Sequence, residues 1–141
     1  MEIPARSHGA RRSDCPISVA LDLLGDPWSL LIVRDLMFKG LRTFGEFETA
    51  GEGIATNILA DRLRRLEAGG ILIGRSDPHD KRRLAYRLTE KGMDLVPTLV
   101  ELVLWSARHE DTAAPAPTVR KMRFQRRSFL AELRRKWAAS N

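Results

Sequence analysis

Two basic clusters stand close together in this chain, Arg62, Arg64 and Arg65, then Lys81, Arg82 and Arg83. Guanidinium and ammonium groups on a surface neutralise phosphates, and a guanidinium can also grip the acceptor edge of guanine with two parallel hydrogen bonds. Asn57, just ahead of the first cluster, carries the amide that pairs with adenine in the same two-bonded way, and Thr56 beside it offers a hydroxyl. The chemistry of this set is recognition of a charged polymer, without bond making. One arginine-rich helix face could be only a solvated surface. A second basic group following at once in a different kind of element turns the reading toward nucleic acid.

The elements that must position these groups follow from hydrophobic spacing. In "TNILADRLRRLEA" Leu59, Leu63 and Leu66 fall on one side of a helix over about 56–68, while Asn57, Asp61, Arg64 and Arg65 cover the other and Arg62 lies at the margin. Gly69-Gly70 closes that helix. Ile71 and Ile73 then alternate as a strand, Asp77-Pro78-His79-Asp80 makes a turn, and Leu84, Tyr86 and Leu88 alternate on the way back. The result is a hairpin with Lys81, Arg82 and Arg83 near its tip. Asp80, the odd acidic member, is expected to orient Arg82.

Ahead of this unit, Ile17, Ala20, Leu21 and Leu24 predict a short helix ended by Gly25. Asp26-Pro27 caps and starts the next, "WSLLIVRDLMF", which is apolar on nearly every side and reads as the buried centre. "TFGE" is a capping box, Thr43 accepting from the amide three residues on and Glu46 reaching back, and it opens a third helix with Phe44 and Phe47 inward. After the hairpin, Thr89 caps a long helix to about His109 with an apolar face of Leu95, Val96, Leu99, Leu102 and Val103, kinked at Pro97. Trp28 and Trp105 are read as core. Residues 111–118 are a linker by composition. Residues 119–138 read as a basic helix with Met122, Phe129, Leu133 and Trp137 in a stripe that should dock on the body, across a dimer.

The chain's net charge of +6 over 141 residues resembles a nucleic-acid signature, but its distribution matters more. Residues 120–141 carry +7, so the first 119 together are −1, and residues 53–87 are the basic block (+4) inside the globular part. One cysteine, Cys15, allows no intramolecular disulfide, and His8, His79 and His109 stand at no metal-ligand spacing to it or to each other, so neither metal nor cofactor is expected. No run of about 18 apolar residues could span a bilayer, and the N-terminus lacks a secretory pattern, which predicts a cytoplasmic protein with no membrane partner.

Helices, a helix-turn-helix, then a hairpin is the order of a winged helix-turn-helix, mainly α with a small β-hairpin, here with an added C-terminal helix. "CPISVALDLLGDPWSLLIVRDLMFKGLRTFGEF" and "GIATNILADRLRRLEAGGIL" resemble the HxlR-type regulators, winged-helix relatives of the MarR group, over Cys15 to about His109. "DPHDKRR" is closer to a MarR wing. Ala55 stands where many members have a serine cap, so the recognition helix is expected to start at Thr56. The resemblance implies a homodimeric transcription factor joined through its first and last helices and bound to a two-half-site operator in double-stranded DNA. Some relatives sense electrophiles or oxidants through a cysteine matching Cys15. The expected organisation is a flexible arm over 1–13, a DNA-binding and dimerisation domain over 14–110, the linker and the basic helix. The expected DNA contacts are Thr43, Thr56, Asn57, Arg62, Arg64, Arg65, Lys81, Arg82 and Arg83, with Cys15 a redox sensor, a small-molecule or electrophile effector open, and the regulator acting as a repressor. Two other classes stand beside this one. An RNA-binding or architectural protein would use the basic tail. A thiol enzyme would use Cys15, but it lacks a nearby histidine and a resolving cysteine, so no enzyme is expected.

Overall fold

The computed structural model describes residues 11–140, so most of the expected N-terminal arm, and His8 with it, lies outside the described residues. The elements run α1 (Pro16–Leu24), α2 (Ser29–Met37), α3 (Phe44–Glu48), α4 (Thr56–Ala68), β1 (Leu72–Ser76), β2 (Leu84–Leu88), α5 (Glu90–Met93), α6 (Val96–His109), α7 (Ala116–Phe124) and α8 (Arg126–Ala139). This is a helix-turn-helix, α3 and α4, followed by an antiparallel wing. Among the described residues no single helix is long and apolar enough to cross a membrane.

The caps act largely as expected. Asp26 Oδ1 accepts from the amides of Trp28 (2.8 Å) and Ser29 (2.9 Å), so the regular helix begins at Ser29, two residues inside the proline. Thr43 Oγ1 accepts from Glu46 N while Glu46 Oε1 accepts from Thr43 N, the reciprocal capping box. Helix α4 occupies residues 56–68 with Ala55 at its N-cap, which offers no side-chain acceptor. Gly70, at φ +76, takes the left-handed turn that aims the chain from α4 into the wing.

The core is built from Ile32 and Val33 of α2, Phe47 of α3, the three leucines of α4, Leu72, Tyr86 and Leu88 of the wing root, and Val96, Leu99 and Val100 of α6. Strand β1 pairs with β2 in the register Leu72↔Leu88, Gly74↔Tyr86 and Ser76↔Leu84. This places Leu72 inward and Ile73 outward, the reverse of the alternation expected from Ile71 and Ile73. Ile71 is buried too, but it precedes the strand, beside the Gly70 turn. A third segment joins the wing: Tyr86 N donates to Arg42 O (2.8 Å) and Thr43 bridges Ala85, so the α2–α3 connection lies along β2.

The C-terminal half corrects several expectations. The long helix is two, α5 and α6, and Pro97 stands in the first turn of α6, where its missing N–H costs nothing, rather than at a kink. Gly92 of α5 is packed against the Ile71 carbonyl so closely that a Cβ would sit 2.2 Å from that oxygen, which seats α5 directly on the wing root. Trp105 is 60% exposed, resting against His109 (5.5 Å between rings), and Leu102 is also exposed, whereas Val100, not expected in the face, is fully buried. Trp28 is half-buried.

The tail is also two helices, broken at Gln125, and the linker shortens to the segment before Ala116. Met122 is buried, and Phe129, Leu133 and Trp137 pack on the core of their own chain. Trp137 Nε1 donates to Leu88 O (2.9 Å), Arg87 lies over the Trp137 ring (4.4 Å) and donates to Trp137 O (2.8 Å), and Arg42 donates to Ser140 O (2.7 Å). Arg134 pairs with Glu90 (2.9 Å), and Arg126 with Glu101. The stripe docks as expected. It does so within one chain, where docking across a dimer was expected.

Candidate nucleic-acid interface

Helix α4 exists because Leu59, Leu63 and Leu66 share one face and bury it against α2, α3 and the wing root. That burial alone decides which side chains point away. The Asn57 side chain is exposed and has no hydrogen-bond partner among the described residues. Thr56 is exposed as well, but its hydroxyl donates to Glu48 Oε2 (2.8 Å), tying the start of α4 to the end of α3. Arg64 and Arg65 are exposed and reach Asp61 only at 3.7 and 4.0 Å, pairs loose enough at such exposure to yield to a phosphate.

Arg62 sits at the margin of the helix as expected, but it is half-buried and engaged by acids of its own chain, where a DNA contact was expected. Its side chain is 19% exposed, its Nε lies 3.1 Å from Asp26 Oδ1, and its Nη1 meets Asp61 Oδ2 at 2.5 Å. Asp26 thereby joins α2 to α4 as well as capping α2. Burial by itself would raise the pKa of this carboxyl. The Ser29 hydroxyl, the amides of Trp28 and Ser29 and the Arg62 guanidinium outweigh that and lower it from 3.8 to about 2. No spacing in the sequence signals this pair, because Asp26 and Arg62 belong to separate elements.

A second network missed in the sequence braces the other end of α2. Asp35 is buried and receives two hydrogen bonds from Arg34 (3.0 and 2.8 Å), while Arg34 Nη1 reaches Glu52 (2.8 Å) in the loop between α3 and α4. Burial would lower the Arg34 pKa, but Glu52 and Asp35 together raise it. Thr43 has its hydroxyl engaged in the capping box, accepting from Glu46 N and donating to Glu46 Oε1 (3.0 Å). The Thr43 hydroxyl itself holds the Glu46 pKa low, with the amides of Thr43 and Arg42 adding to it.

On the wing, two aspartates shape the tip. Asp77 Oδ1 accepts from His79 N (2.8 Å) and Asp80 Oδ1 from Arg82 N (3.0 Å), while Arg83 N closes onto Asp80 O (3.0 Å). Asp80 orients Arg82 through its backbone amide and leaves the guanidinium free of that carboxylate. Lys81, Arg82 and Arg83 are all exposed. The structure thus presents Asn57, Arg64 and Arg65 on one rigid helix face and three cations on the hairpin beyond it. Cys15 lies elsewhere, exposed at the N-cap of α1.

Comparison with known proteins matches residues 23–114 to the HxlR-like helix-turn-helix family. The chain is 40% identical over 88 residues to the uncharacterized HTH-type transcriptional regulator sll1512 of Synechocystis, covering 62% of this chain and 64% of that protein. It is 35% identical over 98 residues to YvaP of Bacillus subtilis, also an uncharacterized HTH-type transcriptional regulator, covering 69% of this chain and 90% of that one. The matched segment thus spans just under two thirds of the Synechocystis protein. Among solved structures, the transcription factor candidate PA1607 superposes with a TM-score of 0.66 at 40% identity over 75% of this chain and 72% of that chain. The oxidised form of the redox regulator HypR gives 0.61 at 30% identity over 70% and 100%. The reduced form of the transcriptional regulator YodB from B. subtilis gives 0.57 at 30% identity over 69% and 95%.

Proposed function

The chain belongs to the HxlR-like helix-turn-helix family, and from this premise we propose that it is a transcriptional regulator that binds a specific operator as a homodimer, each copy reading one of two related half-sites. The observation that carries the reading is the exposed Asn57–Arg64–Arg65 face of α4, held rigid by three fully packed leucines and flanked by a basic wing. A helix of this width fits the major groove, and residues of its first turn reach base edges. Asn57 is the base reader. Arg64 and Arg65 take phosphates or guanine edges, and Lys81, Arg82 and Arg83 follow the backbone or minor groove. Thr56 positions α4 through Glu48 and Thr43 positions α3 through its capping box. Arg62, committed to Asp26, is left out of the contact set.

The homodimer reading rests on apolar surface a lone chain leaves in water. Ile17 and Leu21 of α1, and Leu102 and Trp105 of α6, are between 46% and 70% exposed. Helix α6 is the last helix of the matched segment 23–114, and α1 lies just ahead of it, entering the match only with its last two residues. Cys15 at the start of α1 would place a thiol beside that interface, so oxidation there would change half-site spacing, and the regulator would respond to oxidants as a repressor released or tightened by thiol chemistry.

Selection of bound duplexes from a random pool tests the reading. The expected product is a pair of related half-sites about one helical turn apart or a multiple of it. Binding that favours no duplex, or that prefers single-stranded RNA in direct competition, would replace it with the architectural or RNA-binding alternative.

A further inference from the structure

A cavity of about 360 Å³ lies between the C-terminal end of α2, the root of β2 and α8. Four cations line it, Lys39, Arg42, Arg87 and Lys136, and among the described residues no carboxylate side chain does. Phe38, Leu133 and Trp137 complete an apolar wall. The two arginines are held by carbonyls rather than by acids: Arg42 by Ser140 O at 2.7 Å and Arg87 by Trp137 O at 2.8 Å. The carboxylates that pair with the two lysines stand off from them: Asp35, buried and already taken by two hydrogen bonds from Arg34, is 3.9 Å from Lys39, and the exposed Glu132 is 3.6 Å from Lys136. Arg87 Nε is buried with no acceptor among the described residues. Like charges converging on one small space repel, and an anion placed among them removes that cost.

We propose that this cavity binds a small amphipathic organic anion, an aromatic carboxylate in chemical class, its ring against the Phe38–Leu133–Trp137 wall and its charged group among Lys39, Arg42 and Lys136. The volume is at the low end for small-molecule sites, roughly 300–1,000 Å³, and suits one or two rings. One wall is α8, beyond the residues 23–114 that the family match covers, so the site belongs to this chain's tail and not to the shared domain. The position gives it reach. Arg42 O accepts from Tyr86 N at the wing root, so a ligand bridging α8 and Arg42 touches the same backbone that sets the wing.

The test titrates the full chain calorimetrically with 2-naphthoate and with the neutral 2-naphthalenemethanol, beside a Lys39→Met/Lys136→Met variant. Both lysine side chains are substantially exposed, 44% and 72%, and methionine keeps the apolar stem, so the fold should survive. Melting checks this, and Lys136→Met alone replaces the pair should the double variant melt early. The wild type is expected to bind naphthoate about tenfold more tightly than the alcohol, and the variant to lose that preference while holding the alcohol unchanged, a tenfold change being the size of one well-placed charge interaction. Equal affinity for the two probes, naphthoate binding undiminished in the variant, or no naphthoate binding up to about 1 mM would overturn the assignment. DNA takes no part in the measurement, so its failure would leave the regulator reading standing.

Discussion

Asn57 and Arg62 share one helix and face opposite duties. The Asn57 side chain has no partner among the described residues, so Asn57→Ala should leave melting unchanged and relax discrimination at one position of each half-site by about 1–3 kcal/mol. A selected site identical to the wild-type site at every position would remove Asn57 from base reading. Arg62→Ala should do the reverse, lowering stability while leaving base preference intact, because it strands a carboxyl that links α2 to α4. The same link has a pH signature. The folded pKa of Asp26 is depressed from 3.8 to about 2, so its contribution is present above pH 4 and is lost as pH falls toward 2. Asp26→Asn should therefore cost about 1–2 kcal/mol at neutral pH, discounted for partial solvent screening. In urea titrations the gap should be the same at pH 7 and pH 5 and narrow below pH 4. A gap that widens on acidification would mean that another group governs it.

At the scale of elements, the wing and the tail should separate cleanly. Arg82 stands on a turn shaped by Asp77 and Asp80 and belongs to no packed surface. Arg82→Ala should weaken specific and random duplexes nearly alike and make the salt dependence shallower by about 0.9 log unit per lost phosphate contact. An unchanged slope would take Arg82 off the backbone. The tail, for all its charge, is a packing element: its stripe packs on the core, and two of its arginines are turned onto the body, Arg134 onto Glu90 and Arg126 onto Glu101 and the Pro97 carbonyl. Trp137→Ala removes the indole bond to Leu88 O and the platform under Arg87, and should cost about 2–4 kcal/mol in equilibrium unfolding. Unaltered unfolding with much weaker DNA binding would make the tail a DNA grip after all.

At the scale of the molecule, the prediction concerns assembly and its control. Wild type and Cys15→Ser should sediment alike when reduced, as dimers, and mild peroxide or quinone should change operator affinity in the wild type only. Non-reducing electrophoresis would tell an intersubunit disulfide from a capped thiol. If both proteins hold the operator equally after treatment, Cys15 is a structural residue at the start of α1.

What the sequence determined by itself is what short-range physics decides. The leucine period of α4 and its two closing glycines, the Thr43–Glu46 box, the Asp-Pro turn of the wing and the Thr89 cap were each legible, because every one is settled by residues within a turn or two of each other. The basic face of α4 and the basic wing tip were legible for the same reason, since burying the leucines leaves the rest outside. Tertiary structure alone decided the remainder. Ile71 and Ile73 were read to the same face because a strand's phase depends on where pairing starts, and Leu72↔Leu88 sets it. Trp105 was read as core because an apolar residue on a helix does not reveal whether a partner covers it. Arg62 was read as a ligand for DNA because its acid, Asp26, arrives from another helix, and the tail's place on its own wing root depends on Trp137 meeting a carbonyl in a distant strand. Contacts between residues far apart in sequence leave no period or spacing to read, and they decide which cations remain free to bind.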